Sequence, residues 1–202
     1  MENLIDFLAR EQPDVIAMQE VFDGRDGTLK PRFRSIVVLQ EATGLQHRAF
    51  APTHNQMFPK FSVPAGNAVL SRFPITREHV WFFDVPFQEQ LIDNGRDYTH
   101  FPCHVQQVTI DRGETTLHVF STHGIWDQHG NDNPRRLRMG RIIAERMDNV
   151  QPAILCGDFN VNEGTQTITR LGERLQNVFA ASRRTTSSTF HTNRKTAATP
   201  RQ

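Results

Sequence analysis

With 202 residues, 37% of them hydrophobic and 22% charged, the chain has the length and composition of an ordinary globular protein with a hydrophobic core. A formal net charge of +1 does not by itself indicate nucleic acid, a membrane or an acidic ligand as partner. The two cysteines, Cys103 and Cys156, lie far apart and exclude a disulfide framework or a CxxC zinc site. The sequence contains no apolar run of the ~18 residues that a membrane helix needs. The N-terminal residues lack the pattern of a signal peptide, so we expect a cytoplasmic protein.

The first part of the chain predicts a helix, a buried strand and a second helix. Apolar residues at helical spacing predict a helix over 2–11. An apolar run over 14–18 is typical of a buried strand, and it leads directly to Glu20. A carboxylate just past a core strand is costly to desolvate unless it is paired or bound to a metal, but Glu20 fits a solvated loop equally well. The next helix is predicted over about 33–43, with Gly44 as its C-cap.

The middle of the chain predicts short strands separated by loops. Residues 104–111 and 115–122 have the alternation of a β-hairpin that turns at 111–114. The segments predicted before it are a strand over 46–51, a polar loop over 52–64, a strand over 68–70, a strand over 77–83 and a loop to about residue 102.

Polar side chains follow two apolar strands in the second half. His123 ends the hairpin and precedes a glycine, a position where α/β proteins carry functional residues, although a lone histidine more often packs or lies at the surface. Residues 153–156 predict a buried strand, which Gly157, Asp158 and Asn160 follow. If the backbone stays extended, Asp158 and Asn160 point to the same side and can hold a water, a metal or a phosphate oxygen. An Asx turn explains the same residues equally well.

Two further helices complete the pattern. One is capped by Asn133 and runs to about Asp148, and the other covers 165–175. The arginines of the first form either a phosphate-facing patch or, as the more favoured interpretation, a solvated face. Residues 182–202, which include no acidic residue, predict an irregular basic tail. Alternating strands and helices without a repeat or a linker predict one α/β domain over the whole chain.

Four motifs carry a resemblance to a known family. They are Pro13-Asp14-Val15-Ile16-Ala17-Met18-Gln19-Glu20, Gly66-Asn67-Ala68-Val69-Leu70-Ser71-Arg72-Phe73-Pro74, Ser121-Thr122-His123 and Gly157-Asp158-Phe159-Asn160. In this order they resemble the endonuclease/exonuclease/phosphatase family of metal-dependent phosphohydrolases, which includes DNase I-like and sphingomyelinase-like enzymes. The resemblance implies an α/β fold in which two mixed β-sheets pack face to face with helices on the outer faces, the DNase I-like four-layer sandwich.

The resemblance also implies a role for each matched residue. Glu20 matches the metal-binding glutamate, with Mg²⁺ as the expected ion and Mn²⁺ as the alternative. Asp158 matches the aspartate that orients the attacking water, Asn160 matches its partner, and His123 matches the histidine that contacts the scissile phosphate. Asn67 lies in a motif near the rim of the active site and is expected to be structural. Such roles are chemically coherent because a hard cation and a hydrogen-bond donor both neutralise charge that develops on phosphate.

Two parts of the family pattern have no counterpart in this sequence. The family opens with an asparagine-bearing strand before the first helix, whereas this chain begins at that helix. The family also closes with an aspartate on a late strand and a Ser-Asp-His turn, whose histidine is the general base, but the sequence contains no Asp-His dipeptide. We therefore expect an incomplete sandwich that lacks the first and last strands and is weakly active or inactive on its own.

The sequence predicts a Mg²⁺-dependent phosphoester hydrolase, a phosphodiesterase or nuclease or else a phosphatase, that directs water at phosphorus. Nucleic acid, phospholipid and small-molecule phosphoesters all stay open as substrates. The alternative is a non-catalytic binding or scaffold domain that retains the fold, and the missing terminal histidine is the feature that favours it.

Overall fold

Two four-stranded β-sheets form the centre of the computed structural model, which describes residues 2–91 and 100–178. The predicted basic tail at 182–202 lies outside the described residues. In chain order the elements are α1 (Glu2–Glu11), β1 (Val15–Phe22), a 3-10 turn (Pro31–Arg34), α2 (Ser35–Thr43), β2 (His47–Phe58), β3 (Phe61–Ser71), β4 (Ile75–Phe82), β5 (Gln88–Leu91), β6 (His104–Asp111), β7 (Thr116–His123), α3 (Pro134–Arg146), β8 (Ala153–Asp158) and α4 (Gln166–Gly172).

Both sheets are mixed. The first sheet has the strand order β1-β3-β2-β5, in which β2 and β5 are parallel and the other neighbours are antiparallel. The second sheet has the order β4-β6-β7-β8, in which β7 and β8 are parallel and the other neighbours are antiparallel. The predicted fold class, two mixed sheets with helices, is confirmed.

Three apolar clusters join the layers. The first lies between α1, α2 and the first sheet and includes Leu8, Ile36 and Leu70. The second lies between the two sheets, and the third lies between the second sheet, α3 and α4. Fully burying a large aliphatic side chain stabilises a fold by about 1.5–3 kcal/mol. These clusters therefore hold together four layers in the order helix, sheet, sheet, helix.

The polar loop predicted over 52–64 is wrong. β2 and β3 form one long antiparallel hairpin through these residues, and Phe58 and Phe61 stack at its end with ring centroids 4.7 Å apart. Pro52 suggested a loop because proline cannot donate a ladder hydrogen bond. In the structure it lies beside a β-bulge, where the register shifts between Pro52 and His54, and a bulge tolerates a missing donor.

The loop predicted before residue 102 contains the edge strand β5, which pairs in parallel with β2. Its four residues, Gln88–Leu91, are mostly polar and show no apolar alternation, so the sequence carries no strand signal there. A short polar edge strand of this kind depends on its neighbour for its conformation.

The helix ends agree with the sequence patterns. Gly44 adopts a left-handed φ of +69° after α2 and donates its N–H to Gln40 O at 2.9 Å. The side chain of Asn133 accepts from the N–H of Arg136 at 2.9 Å and caps α3. Within the described part of the chain, no helix is long and apolar enough to cross a membrane.

Candidate active site

Polar side chains from both sheets meet at one end of the sandwich. In the second sheet the strand register places His104, His123 and Asp158 side by side on β6, β7 and β8. Residues paired across neighbouring strands project from the same face of a sheet. His123 approaches Glu20 of the first sheet, so this row faces the space between the sheets. The structure therefore brings together three of the site residues predicted from the sequence, namely Glu20, His123 and Asp158.

Glu20 lies in a β-bulge of β1. The sequence placed it after the strand, but β1 continues to Phe22 and its register shifts between Met18 and Val21. Glu20 has a φ of +56°, in the left-handed region that costs a non-glycine residue about 1–3 kcal/mol. Its side chain is 79% exposed, and its Oε1 lies 3.9 Å from His123 Nε2. The bulge turns this carboxylate out of the ladder toward the end of the other sheet.

A hydrogen bond next to Glu20 and His123 ties the two sheets together. Gln19 Nε2 donates to Ser121 Oγ at 2.9 Å, and these residues precede Glu20 and His123 on their strands. The bond is partly buried, where a side-chain hydrogen bond typically contributes about 0.5–1.5 kcal/mol. It fixes the ends of β1 and β7 relative to each other and so maintains the spacing between Glu20 and His123.

Asp158 and Asn160 do not continue the strand in extended geometry, so of the two alternatives that the sequence left open the extended one is wrong. β8 ends at Asp158, and Asn160 has a φ of +55°. The N–H of Asn160 donates to Asp158 Oδ1 at 3.0 Å, so the Asx turn considered from the sequence is present. The Asn160 side chain is 5% exposed and its Nδ2 donates to Gly124 O at 2.9 Å. Asn160 therefore joins the loops that follow β7 and β8.

Two glycines allow β7 and β8, and the loops that follow these strands, to approach each other closely. A Cβ atom on Gly124 would lie 2.1 Å from Phe159 O, and one on Gly157 would lie 2.0 Å from Thr122 O. Gly157 also has a φ of +136°, which L side chains rarely adopt. Gly124 N–H donates to Asp158 O at 2.7 Å across this approach. Glycine after His123 and before Asp158 is thus a packing requirement of the site.

His104 and Asn67 form a fully buried polar pair beside His123. His104 Nε2 lies 3.1 Å from Ala51 O, which can only accept, so Nε2 carries the proton and Nδ1 accepts from Asn67 Nδ2 at 3.4 Å. Burial lowers the pKa of His104 to about 4, and the hydrogen bond to Ala51 O opposes that shift only in part. Asn67 Oδ1 is buried without a hydrogen-bond partner among the described residues.

His104 is a residue of this site that the sequence motifs did not indicate. The signal that could have found it is the predicted hairpin itself, because the antiparallel register about the turn at 111–114 places residue 104 opposite His123.

A buried arginine organises the loop after β7. Both sequence interpretations of the α3 arginines, a phosphate-facing patch or a solvated face, are wrong for Arg136, which is 0% exposed. Its guanidinium donates to three backbone carbonyls, Ile125 O at 3.0 Å, Asn131 O at 2.7 Å and Asp127 O at 3.3 Å. Desolvation is the largest influence on this guanidinium and lowers its pKa. The loop that begins at Gly124 is therefore held from inside the protein.

The donor set at this end suits a hard, hydrated cation. Among residues 2–91 and 100–178, no three His, Cys, Asp or Glu side chains come close enough to enclose a metal ion. Mg²⁺ does not need such a cage, because it keeps several waters and binds through one or two carboxylates together with substrate phosphate. The exposed carboxylate of Glu20 meets this requirement.

Comparison with known proteins identifies the family. The model of the Endonuclease/Exonuclease/phosphatase family matches residues 1–200. The chain belongs to this family. The resemblance carried by the four motifs is confirmed. Members of this family are phosphoester hydrolases that generally depend on divalent metal ions.

Individual relatives are distant and longer. A sphingomyelinase from Dictyostelium discoideum is 24% identical over 177 residues, which cover 75% of this chain and 38% of the relative. An endonuclease/exonuclease/phosphatase family protein from Leptotrichia buccalis superimposes with a TM-score of 0.56 at 20% identity, over 84% of this chain and 64% of that one. A mannosyl-6-phosphatase from Bacteroides thetaiotaomicron gives a TM-score of 0.57 at 14% identity, over 85% and 60%. The chain thus spans less than two thirds of each of these proteins, and the two structural matches show the fold alone.

Proposed function

We propose that this chain carries the metal- and phosphate-binding end of a Mg²⁺-dependent phosphoester hydrolase. The observation that supports the proposal is the convergence of side chains from two sheets at one end of the sandwich. Glu20 comes from β1 of the first sheet, and its Oε1 lies 3.9 Å from His123 Nε2 on the second sheet. His123 in turn pairs in register with Asp158. The sequence motifs alone do not show that these three residues lie close together in space.

Glu20 would hold the cation, with Mg²⁺ as the proposed ion and Mn²⁺ as the alternative. The ion, when bound, supplies positive charge to phosphate oxygens and to the charge that develops in the transition state. The Glu20 side chain reaches solvent, so substrate and water have access to it. Because the positive φ at Glu20 directs the carboxylate to this place, the backbone of the bulge is part of the site.

His123 and Asp158 would act on the phosphate and on the attacking water. His123 is only 16% exposed and lies at the edge of the buried row, where its ring can donate to a phosphoryl oxygen in a partly dry environment. Asp158 can accept a hydrogen bond from water and orient it toward phosphorus. The N–H of Asn160 fixes the position of one oxygen of the Asp158 carboxylate.

We assign Asn160 a positioning role. The sequence grouped it with the catalytic residues, but its amide is buried and donates to Gly124 O. That contact fixes the peptide next to His123 and, through the Asx turn, the carboxylate of Asp158. Asn160→Ala would then disturb both neighbours without removing a group that touches substrate.

The proposed substrates are phosphodiesters or phosphomonoesters of nucleic acids, phospholipids or small molecules. The family name includes nucleases, and the relatives include proteins named as a sphingomyelinase and a mannosyl-6-phosphatase. A panel of one oligonucleotide, one sphingomyelin vesicle and one sugar phosphate, each with Mg²⁺, separates these classes.

Hydrolysis of bis(p-nitrophenyl) phosphate and p-nitrophenyl phosphate, with Mg²⁺ and with EDTA, tests the reaction itself. We expect His123→Ala and Asp158→Asn each to lower the Mg²⁺-dependent rate that the wild-type chain shows in this assay, however small, by about two to three powers of ten, or about 3–4 kcal/mol of barrier. His47→Ala, at the start of β2, is the matched control and keeps the wild-type rate. Mg²⁺-dependent turnover that survives Asp158→Asn contradicts the proposal. The prediction that the chain by itself is weakly active or inactive stays a prediction, and the wild-type rate in the same assay tests it.

A further inference from the structure

The outer face of the second sheet is covered by α3 over only part of its length. Toward the start of β6 and the end of β7, Val105 and Phe120 pack in the outer apolar cluster together with Met139 and Ile143 of α3. Further along the same strands, alternation brings Thr109 and His118 to the same face. The helix ends at Arg146, so the polar part of the sheet face continues past the helix.

The uncovered part of this face forms a cavity of about 400 Å³. Sites for small molecules typically measure about 300–1,000 Å³. The cavity is walled by β4, by the polar ends of β6 and β7, and by the end of α3. The lining side chains that matter for its chemistry are Arg77, His79, Trp81, His118, Glu145 and Arg146.

The lining carries an excess of hydrogen-bond donors and positive charge. Two arginines, Arg77 and Arg146, line the cavity together with one acidic residue, Glu145. His118 Nδ1 lies 3.4 Å from Gln107 Nε2, and because an amide nitrogen can only donate, Nδ1 is an acceptor. The ring nitrogen Nε2 of His118 is then the one that carries a proton and can donate. Such a set of groups matches a phosphate, for which arginine is a preferred partner.

The same cavity contains a stack of flat groups. The ring of Trp81 stacks on that of His79 with centroids 5.5 Å apart and 23° between the planes. The guanidinium carbon of Arg146 lies 5.1 Å from the centroid of the Trp81 ring. Nucleobases bind to surfaces of this kind by stacking on aromatic side chains and on arginine.

We propose that this cavity is a second binding site whose ligand is a nucleotide, either free or at the end of a nucleic-acid strand. The phosphate would bind between Arg77 and Arg146, and the base would stack in the Trp81 group. The site is separate from the candidate active site. His118 and His123 are five residues apart on β7, a separation of about 17 Å along a strand, and they project from opposite faces. The proposal does not depend on the hydrolase function.

Calorimetric titration of the full chain with AMP in the presence of EDTA tests the second site, because EDTA removes the divalent ions that the active site would use. We expect saturable binding of AMP, and at least about tenfold weaker binding of adenosine or of inorganic phosphate, since each offers only one of the two interactions. Arg77→Gln and Arg146→Gln should each weaken AMP binding by about tenfold or more. The matched control is Arg141→Gln, an exposed α3 arginine outside the cavity, which keeps wild-type affinity.

The same titrations show whether the ligand is a free nucleotide or the end of a strand, and two of their possible outcomes would overturn the proposal. A thymidine pentanucleotide that binds more tightly than AMP, requires the same two arginines and weakens with added salt identifies a strand as ligand. Equal or weaker binding of the pentanucleotide identifies the free nucleotide. Absence of saturable AMP binding by the wild-type chain, with a folded circular dichroism spectrum, overturns the proposal. So does equal AMP affinity in Arg77→Gln, Arg146→Gln and Arg141→Gln.

Discussion

The space between the two sheets is apolar toward one end and polar toward the other, although the same strands line both parts. In the apolar part, β6 and β7 contribute Val108, Ile110 and Val119. At the polar end they contribute His104 and His123, which meet Asn67 and Glu20 of the first sheet. The comparison shows that the same two strands have two roles. Their apolar residues stabilise the sandwich, and their polar residues a few positions further along form the candidate site.

The polar end carries features that lower stability. His104 stays neutral in the core, Asn67 Oδ1 lacks a hydrogen-bond partner among the described residues, and Glu20 has a left-handed backbone. An unpaired buried polar group and a strained φ are each unfavourable by about 1–3 kcal/mol. Features of this kind persist where the surrounding structure enforces them, and here the apolar part of the same interface does so.

The largest stability effect is expected from the apolar part. Ile110 is 0% exposed between the sheets, and Ile110→Ala should lower the free energy of unfolding by about 2–5 kcal/mol. Ile154→Ala is the control, since the Ile154 side chain on β8 is 52% exposed and its truncation should change stability by about 0.5 kcal/mol or less. Urea denaturation measures both, and similar losses would show that the interface is not the main source of stability.

The second-largest effect is expected from acidification, which should lower the free energy of unfolding through His104 at the polar end. An unfolded histidine takes up a proton near its ordinary pKa of about 6.5, whereas buried His104 resists protonation down to its pKa of about 4. The unfolded state therefore binds more protons, and His104 alone should lower the free energy of unfolding by roughly 3 kcal/mol as the pH falls from about 6.5 to about 4.

The matched variants His104→Gln and His47→Gln separate this contribution from other titrating groups. Denaturant unfolding is measured at several pH values across that range. We expect a flatter pH dependence in His104→Gln and a wild-type dependence in His47→Gln. If the free energy of unfolding depends on pH equally in both variants, unfolding is not coupled to proton uptake by His104, and the expectation is wrong.

The smallest effect is expected at the bulge. Glycine tolerates the φ of +56° at position 20, whereas alanine does not, so Glu20→Gly should be more stable than Glu20→Ala by about 1 kcal/mol. At an ordinary strand position the order is reversed. The midpoints of urea unfolding give the comparison, and a less stable glycine variant would mean that the Glu20 backbone is unstrained.

The elements that the sequence predicted well are those defined by local signals. Asn133 and Gly44 mark helix ends through capping, which depends on a few neighbouring residues. The motif residues at strand ends led to the family and to the mixed two-sheet fold. None of these inferences depends on which strands pair with each other.

The features that the sequence did not predict arise from pairing and burial between distant segments. The bulge at Glu20 exists only relative to β3, and the hairpin through Pro52 forms because β3 offers a partner. His104 is buried because the sheets meet over it, and Arg136 is buried because a loop wraps its guanidinium. The sequence offered the turn at Asn160 only as one of two alternatives, and the distant contact with Gly124 favours it. Apolar periodicity contains none of this information.

The most direct test of the central claim is whether a carboxylate at the end of β1 binds a divalent cation. Mn²⁺ binding, followed by electron paramagnetic resonance, is compared in the wild-type chain, in Glu20→Gln and in Glu114→Gln. Glu114 is an exposed acid in the β6–β7 turn, far from the candidate site along these strands, and serves as the control. We predict that Glu20→Gln weakens Mn²⁺ binding by about tenfold or more, while Glu114→Gln binds as the wild type does. Equal Mn²⁺ affinity in all three proteins would contradict the assignment of Glu20 and, with it, the proposed site.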